Sequence, residues 1–311
     1  MTTLSERSRG AREVWARVRL AVGRARTRAT PAPAIAPEVA MGAQPMPVNC
    51  VVFSKDRAMQ LDACLRSIES WAPYAGAITV VYKATTPEFS AAYHSLDLAD
   101  GVRLVAESDD FRSDVIDALD PGNEHTVFHT DDDIFFRAPP GAPSLPSGFA
   151  AFSLRLGQNT TYCYTLGRSQ RIPATVTDEA AIAWDWTRAE DDFSYPLSLD
   201  GHVLPTRLLL RMLSRARFAN PNELEEELHV RRYLAPRLML AFRESCLVSI
   251  PANVVSSTHR NLAGGNPEWS PYALNLRFLA GERIDLEAMD FSTVRGAHQE
   301  IPLLFKRVSG A

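Results

Sequence analysis

The stretch EHTVFHTDDDIFF, residues 124–136, decides the fold. A short run rich in β-formers ends in three consecutive carboxylates, Asp131, Asp132 and Asp133, with Ile134, Phe135 and Phe136 directly behind them. Apolar residues on both sides predict a buried strand whose end carries the charge. Three adjacent carboxylates repel one another, and a divalent cation or a ring of basic side chains usually offsets that repulsion.

Upstream the chain alternates. VNCVVFS (48–54), AITVVYK (77–83) and VRLVAES (102–108) read as buried strands. DRAMQLDACLRSIESW (56–71), FSAAYHSLDLA (89–99) and FRSDVIDALD (111–120) read as helices, the first with Leu61, Leu65 and Ile68 at helical spacing. With EHTVFHT as the fourth strand, this order predicts an α/β fold: a doubly wound, mainly parallel sheet with helices on both faces. Such a sheet binds ligands at the carboxyl ends of its strands, where the Asp triplet falls.

The whole chain has 311 residues, room for one large α/β domain or two small ones. With 46% hydrophobic and 23% charged residues it is neither wholly disordered nor collagen-like. No run approaches the roughly 18 apolar residues that mark a membrane helix. Cys50, Cys64, Cys163 and Cys246 stand far apart and form no CxxC pair, so they read as small core residues of a chain kept in a reducing cytoplasm. Residues 1–47 carry eight arginines against three glutamates, a charge of +5, which leaves −9 on 48–311. A body that acidic is a poor partner for nucleic acid and is better suited to holding a cation.

Residues 1–47 read as an appendage to a single catalytic domain, 48–311. Within 11–28, Val14, Trp15, Val18 and Val22 gather on one side of a basic helix, and TPAPAIAPEVAMGAQPMP (30–47) is a proline-broken linker. Two readings stand for the basic helix: a peripheral contact with an anionic membrane surface at the inner face, and a solubilising tail.

Residues 48–136 resemble the nucleotide-sugar half of glycosyltransferases of the A-type fold. VVFSKDRAMQLDACLRSI resembles their opening strand, turn and helix, and HTDDDIFF their D-x-D strand. The resemblance implies metal-dependent transfer from a nucleoside-diphosphate sugar to an acceptor hydroxyl. It implies that Asp131 and Asp132 face the ribose or the metal, and that Asp131 and Asp133 ligate Mn²⁺ or Mg²⁺. Ser54, Arg57 and Asp109 or Asp110 would lie near the base and ribose. A divalent cation suits the chemistry, because negative charge develops on the leaving diphosphate.

Residues 137–311 are expected to hold the acceptor. FAAFSLRLGQNTTYCYTLG (149–167) reads as a strand pair lining a cleft, and Trp184 and Trp186 as core residues or sugar-stacking platforms. Asp200, Gly201 and His202 precede a helix with a Leu204, Leu208, Leu209, Met212 and Leu213 stripe. Asp200 is either the cap of that helix or, by the resemblance, the base that deprotonates the acceptor; His202 competes for the second role. Glu223, Glu225, Glu226 and Glu227 read as a solvated helix face. By the resemblance a late histidine completes the metal site, His259 ranking ahead of His298. Two other classes stay open: a nucleotidyltransferase acting on sugar phosphates, against which SKDRAMQ lacks the usual glycine-rich loop, and a non-catalytic nucleotide- or sugar-binding module.

Overall fold

The computed structural model describes residues 48–72, 75–177, 180–256 and 262–308. The basic helix proposed within 11–28, the linker that follows it and His259 lie outside the described residues.

The first half follows the predicted alternation: β1 (Val48–Lys55), α1 (Ala58–Trp71), β2 (Ala75–Lys83), α2 (Pro87–His94), β3 (Val102–Ala106), α3 (Phe111–Ala118) and β4 (His125–Thr130). Thr86 caps α2 and Asp110 caps α3 by accepting the backbone N–H three residues on, and Pro87 sits at the first turn of α2, where its missing N–H costs nothing. The second half adds β5 (Asp133–Phe135), β6 (Phe149–Ser153), β7 (Tyr162–Cys163), β8 (Arg168–Ser169), β9 (Val176–Thr177), β10 (Ala181–Asp185), β11 (His202–Pro205), α4 (Thr206–Leu213), α5 (Pro221–Val230), β12 (Leu238–Phe242), β13 (Leu247–Ser249), α6 (Pro271–Leu279), β14 (Glu282–Ile284) and β15 (Phe305–Arg307).

One nine-stranded sheet organises the chain, in the order β3-β2-β1-β4-β11-β6-β12-β10-β9. β1 to β4 form a parallel block; β11 then enters antiparallel between β4 and β6, and β12 returns parallel to β6. β1 shows why the sheet is covered on both faces. Cys50 and Val52 pack into one core with α1, α2 and α6, while Val51 and Phe53 pack into the other with α3, α4 and α5. A strand buried on both sides has no polar alternation, which is how VNCVVFS reads.

Two expectations change and an open choice is decided. The strand pair over 149–167 does not form: β6 pairs instead with β11 and β12, and Tyr162–Cys163 makes only a two-residue ladder with β8. Residues 202–205 are strand rather than the approach to a helix, so α4 starts at Thr206 and Asp200 does not cap it. Trp184 and Trp186 are both core residues, their indole N–H groups donating to the carbonyls of Phe193 (2.9 Å) and Pro236 (2.7 Å). The four cysteines are buried and unpaired, as a core role requires.

Gly201 makes the turn into β11. Its φ is +68°, and a Cβ there would lie 2.0 Å from Leu247 Cδ2. Gly201→Ala is therefore expected to cost about 2–4 kcal/mol, combining left-handed strain with overpacking. Urea unfolding measures it, and a loss below about 1 kcal/mol would show that the turn relaxes freely.

Candidate active site at the carboxyl edge of the sheet

β1, β4 and β6 all end at one edge, and β11 begins there. The chain therefore delivers Ser54–Arg57, Thr130–Asp133, Arg155 and Asp200 to one place. At the end of β1, Asp56 adopts a left-handed backbone (φ 55°), held by the Thr85 backbone N–H (2.7 Å) and hydroxyl (2.8 Å). Non-glycine residues enter that region at a cost, and such strain clusters at functional sites.

Asp131 is tied from three sides. Arg57 Nη1 lies 2.9 Å from Oδ1, and the Ser54 hydroxyl (2.8 Å) and Lys55 backbone N–H (3.3 Å) donate to Oδ2. The Tyr93 hydroxyl is 2.6 Å from Ser54 Oγ and accepts the Arg57 backbone N–H at 3.1 Å. Arg57 also reaches Asp132 at 3.5 Å and donates through Nε to Asn253 Oδ1 at 2.8 Å. Burial raises the Asp131 carboxyl above its ordinary value, with Arg57 opposing the rise. Behind the pair, a small crevice is lined by Gln60, Ile134, Ile250, Ile284 and Leu303.

Asp133 departs from its expected role. It is 0% exposed, with Oδ2 3.0 Å from His129 Nδ1 and Oδ1 accepting the Ser249 hydroxyl at 2.5 Å. Both oxygens face the interior, between β5 and β13, so Asp133 locks the strand pair behind the edge and does not present a ligand. With Asp131 enclosed by Arg57, Ser54 and Lys55, no group of three or more His, Cys, Asp or Glu side chains among the described residues could hold a metal ion. Among the described residues the donor set does not complete a site for Mn²⁺ or Mg²⁺, and no step below runs through one.

Asp200 joins the carboxylate edge from the turn before β11. Its Oδ2 is 2.5 Å from Arg155 Nη1 and 3.3 Å from His298 Nε2, and Oδ1 lies 3.1 Å from Thr130 Oγ1. Thr130 Oγ1 is also 2.8 Å from Asp132 Oδ1. One hydroxyl proton thus serves two carboxylates, Asp132 or Asp200 but not both at once. Burial works against the Asp200 charge, yet Arg155 and His298 outweigh it and hold the carboxyl well below the usual range. The same pairing holds His298 above its ordinary value against burial and Arg155. Asp200 is consequently ionised at any working pH, with its side chain 15% exposed.

The remaining expected residues fall differently. His202 lies within β11, buried; it sits 3.1 Å from the Pro196 carbonyl through Nδ1, and its Nε2 is enclosed without a partner. Burial, then Arg155, depresses it to about 3, so it is a neutral sheet residue and not a competing base. Asp110 is spent on capping α3 at the end of β3, and Asp109 beside it is exposed. His298, the second-ranked histidine, is in the site, and Arg155 and Lys55 join it with no motif to mark them. Lys55 stands at the end of β1, its Nζ 3.1 Å from the Val255 carbonyl. Arg155 carries a faint signal, a charge directly behind the apolar run FAAFSL.

No family model and no curated protein sequence matches this chain. Among solved structures, a 4-diphosphocytidyl-2C-methyl-D-erythritol synthase from Anaerococcus prevotii DSM 20548 is similar with a TM-score of 0.34 at 10% identity, over 75% of this chain and 96% of that one. The functional reading therefore rests on the site itself.

Proposed function

We propose that this chain transfers a glycosyl group from a nucleoside-diphosphate sugar to an acceptor hydroxyl. The observation that supports it is the placement of Asp200, an ionised and partly exposed carboxylate, at the same sheet edge as Ser54, Arg57, Asp131 and Asp132. The donor occupies the β1–β4 side. There Asp132, the more exposed of the pair, accepts a ribose hydroxyl, Asp131 holds Arg57 in place behind it, and Lys55 stands as a cation beside the leaving diphosphate. Negative charge grows on that diphosphate as the anomeric C–O bond breaks, and a fixed cation lowers the barrier in proportion. Asp200 accepts the acceptor hydroxyl proton as the new C–O bond forms.

A second reading, nucleotidyl transfer to a sugar phosphate, uses the same features: a carboxylate pair at the end of β4 and a lysine at the end of β1. The absence of glycine from SKDRAMQ counts against it. Incubation with a panel of nucleotide sugars, with and without Mn²⁺, separates the classes. Release of nucleoside diphosphate coupled to glycosylated product is expected. Pyrophosphate chemistry would replace this reading with the second, and neither would leave a binding module.

A further inference from the structure

Among the acids expected on a solvated face of α5, Glu225 turns inward. Its Oε1 accepts the Leu199 backbone N–H at 3.1 Å and lies 3.1 Å from the Ser198 hydroxyl. Ser198 Oγ in turn lies 3.3 Å from Asp200 Oδ2, accepts the Asp200 backbone N–H at 3.2 Å and accepts from Arg155 Nη1 at 3.0 Å. A single hydroxyl thus stands between two carboxylates, one at the candidate active site and one behind it.

This arrangement answers a difficulty in the proposed reaction, on which the inference rests. Asp200 is bound by two cationic groups and is too weak a base to keep a proton. We propose that Glu225 is a positioning residue that receives the acceptor proton from Asp200 through the Ser198 hydroxyl. The acceptor O–H proton goes to Asp200 Oδ2 as the glycosidic bond forms. Ser198 then gives its own proton to Glu225 Oε1 and takes the one on Asp200 Oδ2, letting go of the Asp200 backbone N–H as it does so. Asp200 is again ionised, Glu225 is neutral, and no atom or electron is left over. Glu225 later releases its proton to solvent to reset the cycle.

The electrostatics agree. Burial, followed by the Asp200 charge, raises Glu225 to about 7, with Arg155 opposing. The charged and titratable groups facing it are Asp200 from the turn before β11, Arg155 from the end of β6, and Tyr195 from the segment ahead of Ser198. Arg232 faces Tyr195 in turn. Glu225 is therefore balanced between its two states near neutrality, whereas Asp200 is not.

The test uses the full chain and two readouts. In turnover, kcat of the wild-type protein should fall on the acid side of about pH 7, where Glu225 is already protonated. Glu225→Gln keeps the Leu199 bond, and Ser198→Ala removes the link together with an acceptor for the Asp200 N–H and Arg155 Nη1. Each should lower kcat about tenfold, flatten that limb and leave the donor Kd unchanged, the scale of a partial loss of general-base assistance. Independently of turnover, difference infrared titration should show a carboxyl step near pH 7 that is lost in Glu225→Gln and moves down in Asp200→Asn. Wild-type kcat and pH profile in both relay variants would overturn the inference, as would a step indifferent to Asp200→Asn. If no donor is turned over but the step shifts as expected, the glycosyltransferase reading fails and takes the relay's reaction with it, while the Glu225–Asp200 coupling stands.

Discussion

Asp133→Ala should lower the unfolding free energy by about 3–5 kcal/mol, the scale of removing one partner from a buried, hydrogen-bonded charge site. The neighbouring Asp132→Ala should cost about 1 kcal/mol or less. The two residues are adjacent and chemically identical, so the difference isolates environment. Without Asp133, His129 Nδ1, the Ser249 hydroxyl and the Thr130 backbone N–H lose a shared acceptor in a place water does not reach. Without Asp132, Arg57 keeps Asp131 and Asn253, and the freed space opens toward solvent at a side chain already 16% exposed. Urea midpoints at neutral pH provide the measurement. Equal, small losses would mean that Asp133 faces the edge after all, and would return it to the ligand role its sequence position suggests. Asp133→Asn should fall between the two, because an amide oxygen still accepts from Ser249.

The second large effect is catalytic. Asp200→Asn should reduce transfer a hundredfold or more while leaving donor affinity near its wild-type value. An amide cannot take the acceptor proton, but it still accepts from Arg155, so the β11 turn should hold its shape. Donor affinity by calorimetry and product formation must be read separately. Near-normal transfer would remove Asp200 from the chemistry and reduce it to the anion that keeps Arg155 and His298 buried. A parallel loss of donor affinity would mean that the substitution disturbs the whole edge rather than the proton acceptor.

The parallel half of the fold was legible because its residues speak one language. VNCVVFS, AITVVYK and EHTVFHT are too short for buried helices and rich in β-branched side chains, and the helices between them keep a clean apolar spacing. Beyond Phe136 the periods blur. HVLP runs into TRLLLRML with no loop between them, and Leu204 fits a helical stripe with Leu208 as well as it fits a strand. Only the pairing of His202–Pro205 with β4 settles the matter, and that pairing is long-range. The site divides the same way. Ser54, Arg57, Asp131 and Asp132 were legible because two adjacent parallel strands bring them together, a rule of topology. Arg155 and His298 meet at 3.3 Å across 143 residues, and no local pattern announces a contact of that kind. Glu225 was hidden for a different reason. It sits in an acidic run on the first turns of α5, where negative charge also suits the helix N-terminus, and the inward turn of one member leaves no trace in composition.

The order in which the sheet is laid down bears on synthesis. β4 is the outer strand of the parallel block until β11, some 70 residues later, comes to lie beside it, and Arg57 reaches Asn253 across 196 residues. At roughly 5–20 residues per second, the growing chain holds that block for several seconds with the hydrogen-bonding edge of β4 open, and Arg57 waits roughly 10–40 seconds for its last partner. An open, apolar strand edge is a template for pairing with another chain. The nascent chain is therefore most exposed to aggregation between the emergence of Thr130 and that of Pro205, and slowing translation across this interval should lower the yield of folded protein more than slowing it after β11 has closed the gap.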